Sequence, residues 1–201
     1  MNIIAVETST DICGIALIKN GKCVDLVEKR IPRKHAEQLP VFYDTLIKSS
    51  NFNEFKINAV AVSIGPGSFT GLRVGLGFSK GLAYAKNLPI IPVPTLDALG
   101  KMSKLINEYS VLLYSHRDIV YIQAFKKNKT FKKPKAVQWE KIDHSKLIFH
   151  YGCEKLIRDE KHETLIPSAK KIGELAANNY EDWLIERPYD LVPNYISPFE
   201  L

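Results

Sequence analysis

One stretch constrains this 201-residue chain more than any other: Gly65-Pro66-Gly67-Ser68-Phe69-Thr70-Gly71-Leu72-Arg73-Val74-Gly75-Leu76-Gly77-Phe78-Ser79-Lys80-Gly81-Leu82-Ala83. It follows residues 58–64, a short β-branched apolar run that predicts a buried strand. Gly65-Pro66-Gly67 ends that strand, and Ser68 or Thr70 can cap what comes next. From there to Asn87 no proline interrupts a helix. Gly71, Gly75, Gly77 and Gly81 each cost about 1 kcal/mol against alanine in a helix interior. Such a helix needs offsetting contacts, usually another backbone lying close. On a helical wheel two apolar stripes emerge. Gly71, Val74, Gly75, Phe78, Leu82 and Ala85 form one, expected to pack on a sheet, while Phe69, Leu72, Leu76 and Ala83 form a second that needs another partner.

The rest of the chain alternates in the same style. Residues 2–7, 13–19 and 22–30 read as three strands, the last two joined by the hairpin signal Asn20-Gly21. Leu39, Phe42, Tyr43, Leu46 and Ile47 give helical spacing over 35–50, with Pro40 tolerable only near the first turn. A strand at 57–64, the glycine-bearing helix, a strand at 89–93 and a helix from Thr95 follow. A reduced repeat then runs through strands at 111–115, 118–127, 136–139 and 146–150, a helical turn at 153–158 and a helix at 168–180 capped by Ser168. Pro188, Pro193 and Pro198 make the tail extended. Strand and helix order predicts an α/β architecture of two lobes, 1–105 and an abbreviated 106–201, with the boundary between Gly100 and Ser110.

The run from Gly65 to Gly75, the opening Ile3-Ile-Ala-Val-Glu-Thr-Ser-Thr10 and the segment Arg33-Lys-His-Ala-Glu-Gln-Leu-Pro40 together resemble the TsaB (YeaZ) family. Leu191-Val-Pro-Asn-Tyr195 is similar to that family's ending, although the match is strong only over residues 1–100. The resemblance implies the actin-like ATPase, or ribonuclease H-like, fold. It implies a non-catalytic subunit that supports a TsaD-like catalytic subunit, together with a TsaE-like ATPase, in placing threonylcarbamoyl on the tRNA adenosine beside the anticodon. Homodimers are expected when the partner is absent, and tRNA is expected to be reached only through the complex. The expected partner interface comprises Leu39, Phe42, Leu46, Phe69, Leu72, Leu76 and Ala83. No cofactor is expected on the chain alone; ATP or ADP belongs, if anywhere, at the complex interface.

Candidate catalytic groups are sparse. Glu7 stands where relatives of this superfamily carry an aspartate; a carboxylate ending a strand and accepting hydrogen bonds from its own turn is the favoured reading. The catalytic sister family TsaD holds a metal through a His-x-x-x-His pair, whose i, i+4 spacing faces one coordination site. Here His35 aligns with the first histidine but Leu39 takes the second place, so no metal is expected and His35 borders the helix start, with Glu37 as its candidate partner. Ser115-His116-Arg117 falls where relatives carry Asp-Ala-Arg. His144, His150 and His162 complete the histidines without a metallopeptidase motif, and no nucleophile elbow is present. The alternative function is an ATP-dependent kinase or carbamoyltransferase with its own site between the lobes.

An apolar share of 45% and a charged share of 25% suit a globular, cytoplasmic protein. No apolar run approaches a membrane span, no basic leader precedes the first strand, and Cys13, Cys23 and Cys153 lack metal-like spacing. Lys126, Lys127, Lys129, Lys132, Lys133 and Lys135 account for the whole net charge of +6. Such a run reads as a solvated hairpin tip that discourages edge pairing. The alternative is a phosphate-contacting patch, with Phe131 its sole interleaved aromatic.

Overall fold

The computed structural model describes residues 1–103, 107–127, 129–130, 132–158 and 162–196, the side chain of Phe55 excepted. The elements run β1 (Asn2–Glu7), β2 (Ile12–Lys19), β3 (Lys22–Arg30), α1 (His35–Ser49), β4 (Ala59–Gly65), α2 (Phe69–Lys86), β5 (Ile90–Pro94) and α3 (Thr95–Gly100). They continue through β6 (Tyr109–His116), β7 (Ile119–Lys126), β8 (Lys129–Thr130), β9 (Lys135–Gln138), β10 (Ile148–Tyr151), β11 (Glu163–Thr164), α4 (Ala169–Asn178) and α5 (Tyr180–Trp183).

The first sheet has the order β3-β2-β1-β4-β5, antiparallel through β3, β2 and β1 and parallel through β1, β4 and β5. β1 lies at its centre, and Ile3, Ile4, Ala5 and Val6 are all fully buried, as a strand covered on both faces requires. Strand alternation divides them. Ile4 and Val6, with Val60 and Val62, face α1 and α2, while Ile3 and Ala5, with Ala59 and Ala61, face α4. Small residues on the second face let α4 sit close: a side chain on Gly173 would collide with Ile18. α1 continues through Pro40 and keeps Leu39, Phe42 and Leu46 against the sheet.

The second sheet has the order β11-β10-β6-β7-β8, with β9 pairing β7 beside β8. One face packs Tyr109, Val111, Phe125 and Phe149 against α3 and Ile12; the other is covered by irregular segments carrying Trp139, Ile142 and Leu156 rather than by a long helix. The 153–158 segment is the single helical turn expected, closed by the Leu156 and Ile157 amides on the Cys153 carbonyl.

The expected lobe 106–201 does not hold together as drawn. α4 leaves the second sheet and covers the first through Ala169, Ile172, Leu175 and Ala176. Ile185 bridges Ile90, and the tail amide of Asn194 donates to the Ile64 carbonyl at 2.7 Å. The reason is burial: α1 and α2 cover one face of the first sheet, and the apolar opposite face needs α4. The boundary at 105/106, like Phe131 and Pro198, lies outside the described residues. Among the described residues no helix is long and apolar enough to cross a membrane, and the three cysteines are free.

Candidate functional site

Two features of the first lobe compete as sites: the cleft facing the second sheet, and the outer side of α2. A cleft of about 1480 Å³ separates the two sheets. Its first wall is the loop after β1 (Ser9, Thr10, Asp11), the entry to α1 (Arg33, His35) and the start of α2 (Gly67, Ser68, Phe69). The second wall is the β6–β7 turn with His116, the end of β9, and Tyr151, Glu154 and Lys155. Asp11 ties the walls together. It accepts from the Tyr151 hydroxyl at 2.5 Å and from Arg30 Nε at 2.6 Å. Burial alone would raise its pKa, but those two donors outweigh it and hold the carboxylate below the usual range.

A helix start after a glycine loop can cradle phosphate only if its amides are free. Here the chain uses two amides of this junction itself. Ser68 N donates to the Ser9 carbonyl at 2.7 Å, Gly71 N donates to the Ser68 hydroxyl at 3.2 Å, and Gly67 packs against Ser9 so closely that no side chain fits. Gly71 and Gly75 serve the same junction, because a methyl on either would strike Thr8, whose hydroxyl donates to the Gly71 carbonyl at 2.8 Å.

Glu7 lies beneath this junction and not in the cleft. Its Oε1 accepts from both the amide and the hydroxyl of Ser9 at 2.5 Å, while Oε2 is buried without a hydrogen-bond partner. Burial drives its pKa up to about 7, the Ser9 bonds offsetting only part of the effect. His35 is buried at the first position of α1, and its Nε2 donates at 3.2 Å to the carbonyl of Ile12, not to Glu37. Leu39, one turn on, belongs to the core. His116 Nδ1 lies 3.0 Å from the Ser115 hydroxyl, and Arg117 takes the left-handed turn position.

The interface residues expected from the sequence need correction. Leu39, Leu46, Leu72, Leu76 and Ala83 are at most 5% exposed in the isolated chain, and Phe42 is also buried. Leu39, Phe42 and Leu46 form the sheet-facing side of α1, and in α2 the contact of Gly71 and Gly75 with Thr8 turns the adjacent Leu72 and Leu76 inward. Leu72, Leu76 and Ala83 of the second stripe are thus buried, and of the first stripe only Gly71 and Gly75 are. Val74, Phe78 and Leu82 are only half-buried at the core's margin, Ala85 is exposed, and Gly77 and Gly81 face open space. Tyr43 of α1 meets Phe78 edge-on with ring centroids 5.9 Å apart, so the seam between the helices is aromatic. Of the expected set only Phe69 lies on the half-buried margin, where Arg73 stacks over it and Tyr195 of the tail lies 5.2 Å away.

Sequence reasoning missed the tail's place here. Lys80 Nζ donates to the Tyr189 carbonyl at 2.7 Å and Arg73 Nε to the Tyr195 hydroxyl at 3.0 Å, so residues 189–195 flank α2. It also missed the Asp11–Tyr151 bridge.

The family model described as TsaD, tRNA N6-adenosine threonylcarbamoyltransferase, matches residues 27–133, more than half of the chain. The chain belongs to this family. The tRNA threonylcarbamoyladenosine biosynthesis protein TsaB of Haemophilus influenzae is 35% identical over 101 residues, half of this chain and 42% of that protein. TsaB of Buchnera aphidicola is 27% identical over 197 residues, 96% of this chain and 82% of that one. The chain thus spans less than half of the H. influenzae relative's length. In three dimensions YeaZ from Pseudomonas aeruginosa superposes with a TM-score of 0.81 at 22% identity, covering 96% of this chain and 99% of that one. The architecture is the actin-like, ribonuclease H-like fold.

Proposed function

We propose that this chain is the non-catalytic subunit of a cytoplasmic assembly that forms threonylcarbamoyladenosine on tRNA. It docks through the outer side of α1 and α2 on a TsaD-like catalytic subunit, and a TsaE-like ATPase completes the assembly. Without that partner the same surface pairs with a second copy, because the two chains share a fold and the contact is quasi-isologous. The observation that carries this reading is the pair Gly77 and Gly81. Both face open space in mid-helix, beside half-buried Val74, Phe78 and Leu82. Each costs about 1 kcal/mol against alanine and returns nothing within the chain. A second backbone approaching that face would make use of both. Any nucleotide in such an assembly belongs at the interface, since the Ser68 and Gly71 amides at the start of α2 are committed within the chain.

Gly81→Leu tests it. The isolated variant should fold normally, yet lose co-purification with the TsaD-like subunit and lose its own dimer in light scattering. Retention of both would remove this face from the reading. The cleft between the sheets favours the second reading, an ATP-dependent kinase or carbamoyltransferase. ATP turnover by the pure chain, abolished by substitution in the cleft, would establish that instead.

A further inference from the structure

We infer that the β7–β8 hairpin and the segment leading into β9 form an RNA-phosphate contact, and that this subunit reaches the tRNA itself through it. The choice of tRNA among polyanions rests on the function proposed above; the existence of a polyanion contact does not. Lys126, Lys127, Lys129, Lys132, Lys133 and Lys135 are all exposed, and no aspartate or glutamate occurs between Asp118 and Glu140. Among the described residues no ion pair neutralises Lys126, Lys127, Lys129, Lys133 or Lys135.

The arrangement breaks local rules that an edge guard would have no reason to break. Lys126 lies directly opposite Lys129 across the β7–β8 pair, and like charges so placed destabilise a hairpin. Lys127 occupies the left-handed region with φ 50°, where glycine or asparagine is the low-cost choice. One or two lysines suffice to protect an edge, and β8 is only two residues long. Lys132 and Lys133 lie beyond that edge strand, and Lys135 opens β9 opposite Ile122. Cation density has been kept here against the stability of the hairpin, as at a functional site, and a polyanion is what relieves such self-repulsion.

Placement fits as well. Ile119, at the other end of β7, lines the cleft, and Lys126 lies seven residues along the strand from it, about 23 Å away at ~3.3 Å per residue. α1 and α2 sit on the other sheet. The hairpin therefore stays open while the docking face is covered.

The test is binding of an unmodified tRNA transcript to the full chain between 50 and 200 mM KCl. Replacing Lys126, Lys129 and Lys133 by alanine should lower affinity at 50 mM by about tenfold or more and flatten the log–log salt slope by about 2–3. Equal affinity and slope would overturn the contact. Lys126→Glu guards against misfolding: its melting temperature should rise, because it now faces Lys129 with the opposite charge, while tRNA binding weakens. A raised melting temperature with unchanged tRNA binding would likewise overturn the inference. Co-purification with the TsaD-like subunit is measured separately, and its failure in the wild type would overturn the proposed assembly without touching the salt slopes.

Discussion

The Thr8 hydroxyl donates to the Gly71 carbonyl at 2.8 Å, across 63 residues of sequence, and this bond sets the rotation of α2. Backbone of the β1 loop and backbone of the helix touch there, and only glycine permits it. Gly75→Ala should therefore cost about 1–3 kcal/mol through overpacking against Thr8. For a chain of this size that lowers the melting temperature by roughly 2–4 °C per kcal/mol. Gly77→Ala has the opposite sign, a gain of up to about 1 kcal/mol in the isolated chain, because nothing opposes the added methyl. Calorimetry on the two variants checks both; a loss at Gly77 as large as at Gly75 would refute the rotation.

Glu7 gives stability a pH dependence with a definite sign. Its folded pKa of about 7 exceeds the unfolded value of 4.5, so the native state holds the proton more tightly. That contribution is complete below about pH 4.5 and disappears as pH rises through 7. The change amounts to about 3 kcal/mol at 1.36 kcal/mol per pKa unit. Glu7→Gln, which keeps the shape without the charge, should match the wild type near pH 4 and exceed it near pH 8. Urea titrations at the two pH values decide it, and equal differences at both would place the Glu7 proton elsewhere.

These two relationships also mark what the sequence could and could not disclose. Strands 2–7 and 22–30 were legible to the residue, because continuous apolar runs and Asn20-Gly21 are local signals. The turn-bonded role of Glu7 was legible for the same reason, since Ser9 is two residues away. The rotation of α2 was not. Its wheel offers two apolar stripes, and the choice between them is made by Thr8, which carries no periodicity. Nor does the apolar stripe of α4 say which sheet it covers; that follows from the uncovered face of β1 and β4. The Asp11–Tyr151 bridge spans 140 residues between an ordinary aspartate and an ordinary tyrosine.

That bridge makes its own prediction. The Asp11 carboxylate accepts from Tyr151 and Arg30, joining the loop after β1 to the end of β10. Tyr151→Phe removes one hydrogen bond to a charged group, about 1.5–3 kcal/mol at full strength and toward the lower end where Asp11 meets solvent. Asp11→Ala removes that bond together with the Arg30 pairing and should cost more, and the double variant should cost little more than Asp11→Ala alone, since the Tyr151 bond is already lost there. A double-mutant cycle by urea denaturation measures the coupling. Strict additivity would show that the two groups act independently.

The two faces of α2 yield the sharpest contrast between neighbours. Leu76 is 5% exposed and packs with Leu39, Leu46 and Val62, whereas Tyr84, eight residues on, is 76% exposed. Leu76→Ala should cost about 2–5 kcal/mol by loss of buried contact and the cavity left behind, and Leu76→Glu should prevent folding, because the carboxylate would be buried without a cation. Tyr84→Ala should change stability by no more than about 0.5 kcal/mol. Phe78→Ala falls between them: it gives up the edge contact with Tyr43 and only part of a core position, so the fold survives a loss of roughly 1–3 kcal/mol. On the assembled state the order changes. Phe78→Ala and Tyr84→Ala should weaken association, the first more strongly, because an aromatic at the centre of a face contributes more than one at its rim. Circular dichroism and light scattering on the four variants separate folding from assembly. A well-folded Leu76→Glu that fails only to associate would return Leu76 to the surface and restore the opposite rotation of α2.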